Sequence, residues 1–241
     1  MPHFLLVHGA WHGGWCWKKV APLLRKHGCN VVTPTLSGLG ERSHLLTSEI
    51  NLLTHINDIV QILKYRDLRD VVLIGHSYAG MVISGVAEIL PERLARLVYV
   101  DAPVPLNGQS AIDLLPGLPS FVREITLPAG KVPVILPPSP ESFGVSDPED
   151  IVWMKELLTP MPFNCLNQGI RIANPLVAKL DKSYILCTIP YSDESEIAHI
   201  TAFRRAKSEG WDCRKIDAPH DMMITHASAL SKMLLECAQI T

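Results

Sequence analysis

The 241-residue sequence predicts an α/β fold, a mostly parallel six-stranded sheet flanked by helices, with a cap inserted between two halves of the sheet. Three observations predict it. Short apolar runs rich in β-branched residues alternate with helix-length amphipathic stretches, the pattern that parallel βαβ units leave. One long stretch, 103–180, breaks the alternation and holds 13 of the 19 prolines. A glycine-flanked serine, in GHSYAG over 75–80, stands where a strand-length run gives way to a helix-length run.

The first strand is FLLV (4–7); it is too short for a signal peptide and no basic residues precede it. A glycine loop, HGAWHGGW (8–15), leads into a helix at about 15–27, followed by the strand NVVTP (30–34). A helix over 51–66, the strand VVLIG (71–75), a helix over 78–90 and the strand LARLVYV (94–100) come next. The 78–90 helix stops before Pro91, because the residue ahead of proline disfavours helical angles. Beyond the proline-rich stretch lie the strand SYILCT (183–188), a helix over 195–208, the strand CRKI (213–216) and a final helix over 222–238. That last helix carries Ala227, Leu230, Met233, Leu234 and Cys237 on one apolar face.

Within 103–180 no strand is evident, and PEDIVWMKELL (148–158) reads as a short helix with Glu149 and Asp150 in its first turn. A connection this long is uncommon in a compact fold unless it carries function. It is read as a lid, giving a core of 1–102 with 181–241 and a cap of 103–180. Phe121, Trp153 and Phe163 are the cap aromatics expected to select the substrate.

Charge is nearly balanced, 22 Lys and Arg against 24 Asp and Glu, for a net charge of −2. That argues against nucleic acid or an anionic membrane surface as partner, and no uninterrupted apolar run is long enough to span a bilayer. Six cysteines without a CxxC pair read as buried thiols in a reducing, cytoplasmic compartment. His8 and His12 are four apart, but in a glycine loop rather than on a helix, so they do not read as a metal pair. No phosphate-binding glycine loop is present either. No metal and no cofactor are expected; a small-molecule ester is the expected partner, and a homodimer is compatible with this composition.

GHSYAG reads as a GxSxG-type nucleophile elbow centred on Ser77, with small Ala79 and Gly80 following. Such a turn exposes the hydroxyl at the end of a sheet and beside a helix N-terminus, where developing negative charge is favoured. A serine hydroxyl needs a base to take its proton. His220 follows the last strand and fits that role, whereas His199 and His226 read as surface or capping residues and His76 as pointing away from Ser77. The base needs a carboxylate to hold its tautomer. Asp101, at the end of the strand after the elbow helix, is the choice, with Asp193 the alternative and Glu194 beside it. Two amides must receive the oxyanion: Tyr78, next to the nucleophile, and Ala10, in the glycine loop. Trp11, Trp15 and Trp17 lie close by as core or pocket wall.

FLLVHGAWHGGWCW, TLSGLGERSHL, VVLIGHSYAGMV and APHDMM together resemble the α/β-hydrolase superfamily, in particular small bacterial esterases related to plant methylesterases and hydroxynitrile lyases. The resemblance covers both halves of the core; the cap matches only in length and position. It implies a cofactor-free Ser–His–Asp esterase acting through an acyl-enzyme, with Ser77, His220, Ala10 and Tyr78 on matching motif positions. Some bacterial relatives take aryl carbamates or bulky pesticide esters. Two positions depart from the pattern: Pro190 stands about where plant methylesterases carry their aspartate, and Asp221 stands where the lyases carry a lysine. The expected function is hydrolysis of a small carboxylic ester. Carbamate or amide hydrolysis by the same residues is the alternative, and a non-catalytic ligand-binding protein the third.

Overall fold

The computed structural model describes residues 1–115, 118–127, 130–190 and 193–240, without the side chains of 118, 119 and 193–196. Its order is β1 (His3–Val7), α1 (Ala21–Lys26), β2 (Asn30–Val32), α2 (Leu52–Tyr65), β3 (Val71–His76), α3 (Ala79–Ile89) and β4 (Leu94–Val100). The inserted stretch holds α4 (Ala111–Leu114), β5 (Val122–Leu127), β6 (Gly130–Ile135), α5 (Pro148–Leu157), β7 (Met161–Pro162) and α6 (Phe163–Asn167). The core then resumes with β8 (Asp181–Cys187), α7 (Asp193–Ser208), β9 (Asp212–Ile216), α8 (Met222–Thr225) and α9 (Ala227–Cys237).

The main sheet runs β2-β1-β3-β4-β8-β9, and every pairing in it is parallel. A parallel sheet must be covered on both faces, which is why its strands are continuous apolar runs. Leu5, Val7, Leu73, Leu97 and Tyr99 face one buried layer with Ile56, Ile59, Leu63, Val82 and Val86 of α2 and α3. Phe4, Leu6, Ile74, Val98 and Val100 face the other, with Leu24 of α1 and Leu230 and Leu234 of α9.

Three expectations give way. The helix at about 15–27 is a short 3-10 turn, Gly14–Trp17, and then α1, because Pro22 lacks an amide hydrogen and belongs in a helix's first turn. The last helix is broken at His226, whose backbone (φ −129°, ψ 40°) leaves the helical region between α8 and α9. The cap, read as strandless, contains a three-stranded sheet of order β5-β6-β7 with antiparallel pairing. Pro133 hides β6 from a sequence reading, since proline removes a ladder donor. It is accommodated because β7 pairs only with Val134 and Ile135, leaving that side of β6 unladdered at Pro133.

Candidate active site

The sheet's register assembles the site. His76 pairs with Val100, and the ladder continues one step as Ser77 N–H donates to the Val100 carbonyl at 3.1 Å. On the other side of β4, Asp101 N–H donates to the Ile185 carbonyl at 2.8 Å. Ser77 and Asp101 therefore stand side by side at the ends of adjacent strands. Both have left-handed backbone, φ 52° and 44°. Such angles strain a residue with a side chain and persist where the surroundings enforce them. Gly75 makes the elbow possible, since a Cβ there would lie 2.7 Å from the Ala79 carbonyl oxygen. Gly9 lets the β1 loop cross directly over the elbow, where a Cβ would lie 2.9 Å from that of Ser77.

His220 reaches the same end from the loop after β9. Its Nδ1–H donates to Asp101 Oδ2 at 2.6 Å, and Asp101 is fully buried. Cys187 also donates to Asp101, through its amide at 3.3 Å and its thiol at 3.0 Å. Burial pushes the Asp101 carboxyl up, but the His199 and His220 imidazoles outweigh it and hold the group well below the usual carboxylate range. Asp101, the preferred candidate acid, is in contact with His220; the alternative, Asp193, opens α7 and its side chain lies outside the described residues.

Ser77, His220, Ala10 and Tyr78 line one cavity of about 510 Å³. Among the described residues, neither the Ala10 nor the Tyr78 amide has an acceptor within the protein. The Tyr78 side chain is anchored beneath the cavity: its hydroxyl donates to His55 Nδ1 at 3.0 Å, and His55 Nε2–H donates to the Ser37 carbonyl at 2.9 Å. Burial lowers the His55 pKa to about 4, so it works as a neutral spacer. The remaining lining is mostly apolar, with Trp11 from the β1 loop and Phe121, Ile135, Leu136, Phe143 and Leu166 from the inserted stretch, which also contributes Arg123.

Several side chains lie elsewhere than the sequence suggested. His199, read as a surface or capping residue, is 2% exposed and lines the cavity. Its Nδ1 lies 3.4 Å from Asp101 Oδ2, and its ring stacks on His220 at 5.5 Å and 9°. The signal was available: 199, 202, 203 and 206 form the buried stripe of α7, an i, i+3, i+4, i+7 pattern. The tryptophans divide, with Trp17 in the core, Trp11 on the cavity and Trp15 stacked on His12 at 5.3 Å. Of the three cap aromatics only Phe121 reaches the cavity. Trp153 packs edge-on against Trp15 at 5.1 Å, and Phe163 packs on the core. His8 and His12 do not converge: His8 donates from Nδ1 to the Gly9 carbonyl and accepts from Leu36 N–H. Two other sets bring metal-capable atoms within 4.8 Å, His76 with His220 and Asp221, and Asp101 with His199 and His220. In the first set the His220 carbonyl accepts from His76 Nε2–H at 3.0 Å, while His76 Nδ1 and Asp221 Oδ1 have no hydrogen-bond partner among the described residues; in the second His220 Nδ1 is bonded to Asp101.

A fully parallel sheet with a strained serine at one strand end and a histidine–carboxylate pair beside it defines a hydrolase core. A model described as the alpha/beta hydrolase family matches residues 4–232, and the chain belongs to that family. It is 37% identical to a carbendazim hydrolyzing esterase of Nocardioides sp. (strain SG-4G), over 97% of this chain and 98% of that one. It is 25% identical to the putative chloroplastic methylesterase 13 of Arabidopsis thaliana, over 98% of this chain but 56% of the relative. The crystal structure of polyneuridine aldehyde esterase shares the fold, with TM-score 0.81 at 24% identity and 99% of both chains covered. At the level of activity class, the chain is an esterase of the alpha/beta hydrolase family.

Proposed function

We propose that the protein hydrolyses a small, uncharged, largely apolar carboxylic ester through a serine acyl-enzyme. The observation that carries this reading is the 2.6 Å His220–Asp101 contact at the cavity that also holds strained Ser77 and two unengaged amides. Ser77 Oγ attacks the ester carbonyl while His220 Nε2 takes its proton. Asp101 keeps the other proton on Nδ1 and balances the imidazolium that forms. The Ala10 and Tyr78 amides receive the oxyanion, and His220 returns the proton to the departing alcohol. Water then repeats the sequence: His220 takes its proton, hydroxide adds to the acyl carbon, and Ser77 leaves reprotonated with the acid released. All five residues belong to one chain, so this reading needs neither a second subunit nor a cofactor, while a homodimer remains compatible with it.

A carbamate is the second reading, favoured by the full-length similarity to a carbendazim hydrolyzing esterase and by a cavity wall suited to an aromatic ring. The same residues would form a carbamoyl-serine and protonate the leaving group. The lining is mostly apolar, which argues against a highly charged substrate because desolvating an unpaired charge is costly, although Arg123 also lines the cavity. No two cysteines are cross-linked among the described residues and five of the six are buried, which supports a reducing, cytoplasmic setting. No helix among the described residues is long and apolar enough to cross a membrane.

The test is pre-steady-state kinetics with paired p-nitrophenyl acetate and p-nitrophenyl N-alkylcarbamate. A stoichiometric burst of nitrophenol followed by slower turnover is expected, together with labelling of Ser77 by a fluorophosphonate. No nitrophenol release above background and no labelling at Ser77 would point to the ligand-binding protein instead.

A further inference from the structure

Beneath the oxyanion loop lies a second buried histidine–aspartate pair. His12 Nε2 meets Asp221 Oδ2 at 3.0 Å, and His12 Nδ1 meets the Ala10 carbonyl oxygen at 2.7 Å. Their side chains are 2% and 0% exposed. A carboxylate and a carbonyl can only accept, so each ring nitrogen of His12 must bring a proton. His12 is therefore an imidazolium balanced by Asp221. No other carboxylate contacts it among the described residues. Its remaining neighbours are the rings of Trp15, Phe143 and His76, with His8 on the same loop and the Cys16 thiol near Asp221. Burial lowers the pKa of both His8 and His76 to about 3, so neither contributes charge. Burial lowers His12 too, but Asp221 more than reverses it and leaves the group raised.

What the pair connects gives it meaning. Ala10 supplies an amide to the oxyanion site, and Asp221 directly follows His220. The two loops come from opposite ends of the chain, 209 residues apart. Asp221 N–H is itself held by the Phe143 carbonyl at 3.2 Å. Resting on the hydrolase reading above, we propose that His12 and Asp221 are positioning residues: a charged bridge that fixes the Ala10 amide and the His220 imidazole relative to one another across the cavity. A bridge of this kind acts on the transition state rather than on substrate affinity. The oxyanion donor and the proton acceptor must be in register only while the tetrahedral species exists.

Three readouts on His12→Gln and Asp221→Asn test this, with folding followed by circular dichroism. Glutamine can satisfy one acceptor but not both. His12→Gln is expected to lower kcat about 100-fold with KM within about twofold, the penalty of a misplaced donor. Affinity for an aryl trifluoromethyl ketone, which adds Ser77 across its carbonyl, should fall by the same factor, while affinity for the product carboxylate stays unchanged. Nitrogen NMR of [15N]histidine-labelled protein should show an imidazolium at pH 8 that is missing from both variants. In Asp221→Asn a neutral His12 can keep its Nδ1–H on Ala10 and accept from the new amide at Nε2, so kcat should fall less than about tenfold. Wild-type kcat in folded His12→Gln, an equal loss of product affinity, or neutral histidines throughout at pH 8 would overturn the proposal. Should His12→Gln not fold, the NMR signal and the milder loss in Asp221→Asn decide. Failure here with an inactive Ser77→Ala leaves the hydrolase reading standing; turnover by Ser77→Ala removes that reading while the NMR still reports on the pair.

Discussion

Two histidine–aspartate pairs sit in one buried site, built from the same residue types at similar distances, and they differ in what surrounds the ring. His220 gives Nδ1 to Asp101 at 2.6 Å and lines the cavity beside Ser77. His12 gives Nε2 to Asp221 at 3.0 Å and Nδ1 to the backbone of Ala10 at 2.7 Å. A histidine anchored at both nitrogens by groups that only accept cannot shuttle protons without breaking a buried contact. What each histidine can do is therefore set by the acceptors around its ring, not by the presence of a carboxylate alone.

The largest effect expected is at the group both pairs serve. Ser77→Ala should remove about 10⁴-fold or more of turnover in a protein with unchanged circular dichroism, because no covalent intermediate can form. Next, Asp101→Asn should lower kcat about 10³–10⁴-fold with little change in KM, since an amide beside His220 favours the wrong tautomer. Asp221→Asn, by the argument above, should cost far less on the same activated ester; equal losses in the two variants would erase the distinction drawn between the pairs. Asp193→Asn should lie near wild type, and a crippled Asp193→Asn with an active Asp101→Asn would move the orienting carboxylate to the β8–α7 connection.

The core was legible because a parallel sheet writes continuous apolar runs, and LARLVYV (94–100) marks β4 residue for residue. The meeting of Ser77, His220 and Asp101 at one end of the sheet was legible because strand ends and the loop after the last strand carry them there. His199 was missed for a different reason. Its chemistry suggested surface, and only its phase with Ala202, Phe203 and Ala206 shows that it faces inward. The His12–Asp221 contact joins residues 209 apart, and no local pattern encodes such a meeting. In the cap, local signals misled: Pro133 concealed β6, and β7 has only two residues.

Smaller effects separate the cap's own aromatics. Phe121→Ala should change the ratio of kcat/KM between an aryl and an alkyl ester by about 10-fold or more, the scale of a lost hydrophobic contact in a pocket. Trp153→Ala should leave that ratio within about twofold, because Trp153 packs on Trp15 away from the cavity. A shifted ratio in Trp153→Ala would mean that the packing behind the site transmits to it.

The smallest effect concerns stability, where the charged and neutral histidines respond oppositely to pH. His8 and His76 have folded pKa values of about 3 against an ordinary 6.5. The unfolded chain therefore binds more protons as pH falls below 6.5, and stability should drop by about 3 kcal/mol for each at pH 4.5. His12 has the opposite sign: its raised pKa gives stability that is complete below 6.5 and lost as pH rises through the folded value. Urea unfolding from pH 7.5 to 4.5 should show the acid loss, and His76→Gln should reduce its slope; a flat profile would mean that these rings are not held neutral.

The cap's attachment to the loops around Ser77 carries a consequence for how such enzymes diversify. Trp11, itself in left-handed backbone at φ 64°, donates from Nε1 to the Ile135 carbonyl at 2.9 Å and accepts at its own carbonyl from Thr159 N–H at 2.9 Å. The Phe143 carbonyl holds the amide of Asp221, and Gly144 leaves room for Pro219. The insertion thus grips the turn carrying Ala10 and the turn carrying His220 mainly by its own main-chain groups, with a glycine required at 144. A cap transplanted from another family member would bring a working catalytic end only if it delivered carbonyls and amides at those places. Substitution of cap side chains is therefore the easier path to new substrates, and exchange of the whole insertion the harder one.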